Sequence, residues 1–232
     1  RFAYDYILAL YEMMARLHAD FPHILLEGCS GGGARFDPGM LYYCPQIWAS
    51  DNTDAMARLE IQRGTAFAYP VSCIGSHVSM VPNHQTGRVI SMQTRFAVAL
   101  CGTFGYELNP AQLSPEELAQ MPKQIALFRQ HQALIAQGDY YRFTPPAHSE
   151  NDVCFGFIAK DKTQALVVYV QQLREANTLP KLLHLSGFSP KKRYKEKTTG
   201  AYYTGATLQY AGILLPTFTH DFEAHIFILD EE

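Results

Sequence analysis

Apolar residues recur at three- and four-residue spacing from the start of the chain, at Tyr4, Ile7, Leu8, Tyr11, Met14 and Leu17. This is the stripe of an amphipathic helix, and Pro22 closes it. Short apolar runs separated by helical stretches follow. Ile24-Leu25-Leu26 reads as a buried strand, and the glycine-rich turn Cys29-Ser30-Gly31-Gly32-Gly33 comes directly after it. Gln46 to Ser50 gives a second strand. Either Thr53 or Asp54 caps a helix that passes through Leu59, Ile61 and Phe67 to about Ala68. Val71 to Ile74 is a third strand, Ile90 to Ala99 a helix, and Gly102 to Leu108 a fourth strand. The clearest local signal is Ser114-Pro115-Glu116-Glu117, where a cap serine, a proline at the first helical position and a glutamate make a capping box. Its helix is predicted to run to Gln137, with Gly138 as the stop.

The texture changes at Pro145-Pro146, which reads as a linker. Val153 to Ala159, Ala165 to Gln171, Lys181 to Leu185, Ala206 to Leu214 and Ala224 to Leu229 then read as short strands. They predict an antiparallel β-sandwich over residues 144–232, after an α/β unit over residues 1–143. Four consecutive strand–helix units make a parallel sheet, and right-handed crossovers curve it toward a barrel. A full eight-unit barrel needs ~250 residues. The expected fold class is therefore α/β: half of a (β/α)8 TIM barrel followed by a small antiparallel β-sandwich. Half a barrel leaves strand edges and a helix face open, so an N-terminal part is expected to be missing or supplied elsewhere, and the β module is expected to be the more autonomous part.

Composition narrows the function classes. The chain has 232 residues, 47% hydrophobic and 18% charged, with a formal charge of −3. There is no basic excess to serve a nucleic-acid partner, and no run approaches the roughly 18 apolar residues of a membrane span. Five cysteines is an odd count without CxxC spacing. That implies neither a disulfide framework nor a zinc knuckle and suits a reduced, cytoplasmic protein. The chain starts at Arg1 without an initiator methionine or a leader pattern, which reads as a piece of a longer protein.

In a parallel α/β layer, chemistry sits where strands end and loops begin. The residues there are Glu27-Gly28-Cys29, Ser50-Asp51-Asn52-Thr53-Asp54, Ser76-His77 and Glu107 to Asn109. Asp54 is a candidate helix cap. Asp51 follows Ile47-Trp48-Ala49, and burial beside Trp48, the only tryptophan, would make it a proton donor near neutral pH. The glycine turn permits close approach of backbone to a ligand but lacks the order of a phosphate loop. Cys29 with His77 could form a nucleophile pair, while Cys73, His77 and His84 match no metal spacing, so no metal is expected. Tyr140-Tyr141, Tyr202-Tyr203 and Tyr210 either stack on sugar rings or fill the core.

Three blocks together are specific: Glu27-Gly-Cys-Ser-Gly-Gly-Gly-Ala-Arg-Phe-Asp37, Trp48-Ala-Ser-Asp-Asn-Thr-Asp54, and Gly75-Ser-His-Val-Ser-Met-Val-Pro-Asn-His84. In this order and spacing the chain resembles the later catalytic-barrel segment of glycoside hydrolase family 36 α-galactosidases. The resemblance is strong from Phe2 to Pro110 and looser beyond. It implies the C-terminal half of the barrel plus the sandwich of a retaining enzyme that removes terminal α-galactose from melibiose- and raffinose-type oligosaccharides. It implies that Asp51 is the general acid/base and that Cys29, Gly32 and Trp48 line the galactose pocket, with Arg35, Asp37, Asp54 and His77 in support. No cofactor and no metal are implied, and a homo-oligomer is expected for the intact enzyme. The family nucleophile is an Asp in a Lys-Trp-Asp block that this sequence lacks, so the chain by itself is expected to be inactive. The competing readings are a galactosyltransferase resembling raffinose or stachyose synthases, and a non-catalytic carbohydrate-binding module.

Overall fold

The computed structural model describes residues 1–146 and 149–232. Helix α1 (Phe2–Asp20) is followed by strand β1 (Glu27–Gly28), the short helical turn α2 (Ser30–Gly33), helix α3 (Pro38–Tyr43), strand β2 (Gln46–Ile47) and helix α4 (Ala55–Thr65). Strand β3 (Gly75–Ser79), helix α5 (Met92–Ala99), strand β4 (Thr103–Glu107) and helix α6 (Pro115–Gln137) complete the first part. Strands β1 and β2 pair in parallel, as do β3 and β4, and a parallel bridge between Ile47 and Ile74 joins the two pairs. The four strands thus lie side by side in chain order.

Each element has a local cause. The side chain of Asp54 accepts from the backbone N–H groups of Met56 and Ala57, which decides the cap of α4 in its favour over Thr53. Ser91 caps α5 by accepting from Thr94 N–H. Helix α6 has the full capping box predicted from Ser114 and Glu117, and it ends at Gln137 as expected. Helix α1 forms where predicted, but none of its residues is buried, and of the predicted stripe Ile7, Tyr11 and Met14 are half-buried while Tyr4, Leu8 and Leu17 are exposed.

Four expectations shift. Ile24 and Leu25 are 53% and 88% exposed; the strand begins only at Glu27, because Glu27 and Gly28 are what pair with Gln46 and Ile47. Pro70 leads into a 3-10 turn over Val71–Cys73, so the third strand starts at Gly75. Helix α4 stops at Thr65, and Phe67 beyond it is exposed and carries the Arg142 guanidinium over its ring. The helix buries Leu59 together with Ala55, Met56, Arg58 and Gln62, while Ile61 is half-buried.

The second part is a six-stranded antiparallel sheet with order β10-β9-β12-β7-β6-β5 and a separate β11–β8 pair. Its strands are β5 (Asp139–Phe143), β6 (Asp152–Ile158), β7 (Gln164–Gln171), β8 (Leu182–Leu183), β9 (Arg193–Glu196), β10 (Tyr202–Thr204), β11 (Ile213–Leu214) and β12 (Glu223–Glu231). Most of the predicted strand over Ala206–Leu214 is helix α7 (Gly205–Tyr210), because the Thr204 side chain accepts from Thr207 N–H and starts a helical turn. Strand β5 pairs with β6 in front of Pro145-Pro146, so the sheet begins at Asp139 and not after the proline pair.

Strands β6 and β7 are buried on both faces, which is why they read as continuous apolar runs. Val153, Phe155, Phe157, Leu166, Val168 and Val170 join the core of α4, α5 and α6. Cys154, Ile158, Ala165, Val167 and Tyr169 join a second core with Leu183, Leu208 and Ile213 from β8, α7 and β11. One sheet face therefore belongs to the α/β layer. This packing weighs against the expected autonomy of the β module, which taken alone would expose one face of its central strands.

Candidate functional site

The loops after β1 and β2 meet. Gly31, Gly32 and Gly33 all have positive φ, which folds the Cys29–Gly33 turn back on itself. At Gly32 a Cβ would stand 2.9 Å from the backbone nitrogen of Asp51 and 3.2 Å from Ser50 Cα. Only a glycine lets the turn press against the Ser50–Asp51 peptide in this way. The Cys29 thiol lies 3.8 Å from Asp51 Oδ1, at the long end of a sulfur hydrogen bond. Three of the residues singled out in the sequence, Cys29, Gly32 and Asp51, are thus brought together.

Asp51 itself is exposed. The burial expected beside Trp48 is absent, because the strand ends at Ile47 and Asp51 stands out on the following bend. Trp48 is the buried member of the set. Its ring stacks on the His77 imidazole at 4.6 Å between centroids, and the Arg58 guanidinium lies 4.5 Å from its centroid. His77 also places Nδ1 3.6 Å from Glu107 Oε2. The expected Cys29–His77 pair is not formed: the thiol turns to Asp51, the imidazole to Trp48 and Glu107.

The supporting positions are engaged in structure. Asp37 caps α3 through Met40 N–H and accepts a 2.8 Å hydrogen bond from the Tyr11 hydroxyl. Arg35 donates to the Tyr6 hydroxyl. Asp54 is 1% exposed and receives Thr86 Oγ1 at 2.6 Å and the Arg88 guanidinium at 2.7 Å besides its two cap bonds. Burial pushes its carboxyl up, but the Thr86 and backbone hydrogen bonds and the Arg88 charge outweigh it and hold the group below the ordinary carboxylate range.

Asp54→Ala is expected to destabilise the fold by about 2–3 kcal/mol at neutral pH, from a lost cap and lost charged hydrogen bonds. A group held low contributes fully above its unfolded pKa and loses that contribution as the pH falls through its folded value. Urea denaturation of both forms should therefore show a gap at neutral pH that begins to shrink at about pH 4 and closes further only as the pH falls through the lower folded value. A gap independent of pH would mean that the charge contributes nothing.

Among the described residues no three His, Cys, Asp or Glu side chains are placed to hold a metal ion. The Cys73 thiol donates to the Pro70 carbonyl, and His84 is exposed on a loop. All five cysteines are unpaired, and all but Cys29 are buried. Of the tyrosines, Tyr140 packs on Phe155 and Phe157 and Tyr203 packs against the second core, while Tyr202 and Tyr210 are exposed. Among the described residues no helix is long and apolar enough to cross a membrane.

One member of the site carries no motif. Arg58, 1% exposed, donates to the Ser50 carbonyl at 3.1 Å, the Gly75 carbonyl at 2.8 Å and Gln62 Oε1 at 3.2 Å. Its only sequence signal is a cation and an amide, Arg58 and Gln62, four apart among the apolar positions Ala55, Met56 and Leu59.

The melibiase family model matches residues 1–138, and that of the glycosyl hydrolase family 36 C-terminal domain matches residues 152–229. The chain is 50% identical over 229 residues to the bifunctional alpha-galactosidase/sucrose kinase AgaSK of Mediterraneibacter gnavus, covering 99% of this chain and 24% of that protein. It is 47% identical over 220 residues to alpha-galactosidase AgaA of Geobacillus stearothermophilus, covering 95% of this chain and 30% of that protein. A crystal structure of an AgaA variant in complex with raffinose superposes with a TM-score of 0.94 at 45% identity, covering 99% of this chain and 32% of that one. The chain thus spans about a third or less of the length of the relatives it matches.

Proposed function

Because the chain belongs to glycoside hydrolase family 36, we propose that it supplies the proton donor and part of the sugar pocket of a retaining α-galactosidase acting on raffinose- and melibiose-type oligosaccharides. The observation that carries this is the convergence of Cys29 and Gly32 on Asp51 at the ends of two adjacent parallel strands. A retaining glycosidase needs two carboxylates, one to attack the anomeric carbon and one to move protons. Asp51 is exposed and makes no ion pair among the described residues, so its carboxyl is open to a substrate oxygen and to water. In the first step it protonates the glycosidic oxygen as that bond breaks; in the second it takes a proton from the water that displaces the galactosyl–carboxylate bond. Cys29 and Gly32 form one wall beside it. Trp48, mostly buried, serves as the floor, its plane held by His77 and Arg58.

The same reading takes the four parallel strands in chain order as the C-terminal half of a (β/α)8 barrel. The sandwich then starts at Asp139 rather than residue 144, since β5 pairs within the sheet. It needs no metal or organic cofactor and no nucleic-acid or membrane partner. Five free thiols suit a cytoplasmic setting. The exposed Phe2, Tyr4 and Leu8 of α1 suit burial against further protein, including a homo-oligomer partner.

The second carboxylate has no counterpart here: Trp48 is the only tryptophan and follows Ile47, so no Lys-Trp-Asp occurs. The purified 232-residue chain, given an activated aryl α-galactoside, is expected to show no turnover above its own Asp51→Asn variant. The intact enzyme should release galactose from the same compound. Clear turnover by the 232-residue chain would expose a nucleophile among these residues, Asp37 or Glu107, and would sink the division of labour.

A further inference from the structure

Two arginines are buried in the first part of the chain, and their surroundings differ. Arg95 ties the Ile90 and Ser79 carbonyls together, and its charge is met by Glu117 at 2.7 Å. Arg58 does the same for the Ser50 and Gly75 carbonyls, but its third partner is the neutral amide of Gln62, and among the described residues no carboxylate lies within ion-pair distance. Burial pulls its guanidinium down to about 10, so it is charged at neutral pH. A buried cation without an ion-pair partner is an expensive way to fill space; an apolar side chain of similar volume costs less. What it does that an apolar residue cannot is hold two carbonyls in one rigid fork.

The carbonyl of Ser50 belongs to the peptide unit whose nitrogen is that of Asp51. The unit is planar, so anchoring its oxygen restrains its N–H and the position of the Asp51 Cα from which the carboxyl departs. Gly32 packs on the nitrogen end of the same unit. The peptide is thus held at its oxygen by α4 and at its nitrogen by the glycine turn. The other arm of the fork ends on Gly75, where β3 begins, and a Cβ there would come within 3.2 Å of Trp48 Cε3.

Resting on the assignment of Asp51 as proton donor, we propose that Arg58 is a positioning residue for catalysis: a buried two-armed clamp that sets the Ser50–Asp51 peptide and the Trp48 ring against the start of β3. Arg58 touches no sugar and transfers no proton. It acts through the aim of Asp51, and a misplacement of about an ångström at that carboxyl costs about 100-fold in rate. Lysine keeps the charge but has one point donor in place of the fork, so it cannot hold both carbonyls in their present geometry.

The test uses the intact enzyme and three variants, Asp51→Asn, Arg58→Lys and Arg58→Met, each assayed on raffinose and on an activated aryl galactoside, with thermal unfolding recorded alongside. Arg58→Lys should keep its unfolding temperature within a few degrees, lose about 100-fold in kcat on raffinose, change KM on raffinose by less than about threefold, and lose far less in kcat/KM, which reports the first step, on the aryl galactoside. That is the leaving-group pattern of a misaimed proton donor, and Arg58→Met should show it more strongly. If Asp51→Asn shows the pattern and Arg58→Lys does not, losing equally on both substrates or losing nothing, the positioning role is overturned while the assignment of Asp51 stands. If Asp51→Asn itself lacks the pattern, the assignment beneath falls. Should Arg58→Lys not fold, Arg58→Met is read in its place, and failure of both to fold overturns the proposal in favour of a purely architectural arginine.

Discussion

Asp51→Asn is expected to slow galactose release from raffinose by about 10²- to 10⁴-fold in the intact enzyme, the usual range for removing a positioned general acid. The alkoxide that leaves raffinose is a poor leaving group and needs its proton in the transition state. An activated aryl leaving group does not, so its first step should lose much less. The second step, which needs a base, remains impaired for both substrates, and the galactosyl–enzyme intermediate should accumulate as a burst with the aryl substrate. Equal and mild losses on both substrates would remove Asp51 from this role. The asparagine is nearly isosteric, and Asp51 is exposed and makes no ion pair among the described residues, so stability should be almost unchanged.

Gly32→Ala is expected to damage the site directly. The residue has φ of +80°, where an L side chain is strained by about 1–2 kcal/mol. The new Cβ would also meet Asp51 N at 2.9 Å and Ser50 Cα at 3.2 Å, both of them backbone, so the contact can be relieved only by moving the chain. Activity should fall about 100-fold by displacement of Asp51. Gly31→Ala is the control: its φ of +67° carries similar strain, but nothing lies within 4 Å of the added carbon. It should cost stability of the same order and leave kcat nearly intact. Equal activity losses in the two variants would show that turn conformation, not contact with the Ser50–Asp51 peptide, is what matters.

What could be read in advance depended on whether the signal was local. The capping box at Ser114 is complete within four residues, and α6 has the limits it predicts. The apolar runs of β6 and β7 are dense enough to announce themselves. Strand β9 was invisible because it turns Tyr194 and Glu196 inward, and a carboxylate in the core breaks the alternation. Glu196 is buried because the Thr198 and Thr199 backbone N–H groups and the Thr199 hydroxyl satisfy it, which no periodicity reveals. Strands β5 and β10 lie at the sheet edges, where one side of the ladder is open and polar residues are tolerated. In the site, Asp51, Cys29 and Gly32 stood out because strand ends concentrate chemistry. Arg58 did not, since its partners Ser50 and Gly75 are backbone carbonyls 8 and 17 residues away, and a carbonyl has no letter in the sequence.

The two-faced sheet has a bearing on how this chain can be re-engineered or diversified. Strands β6 and β7 send alternate residues to different cores, so moving either strand by one position would exchange every side chain between them. The sandwich is therefore not a detachable cassette, although the proline pair in front of β6 invites that view. A recombination joint placed there would separate Phe155 and Val168 from the helices they pack on and leave α5 facing solvent. Chimeras should be joined ahead of the Cys29–Gly33 turn, so that the turn that holds Asp51, α5 and the sheet are inherited as one block.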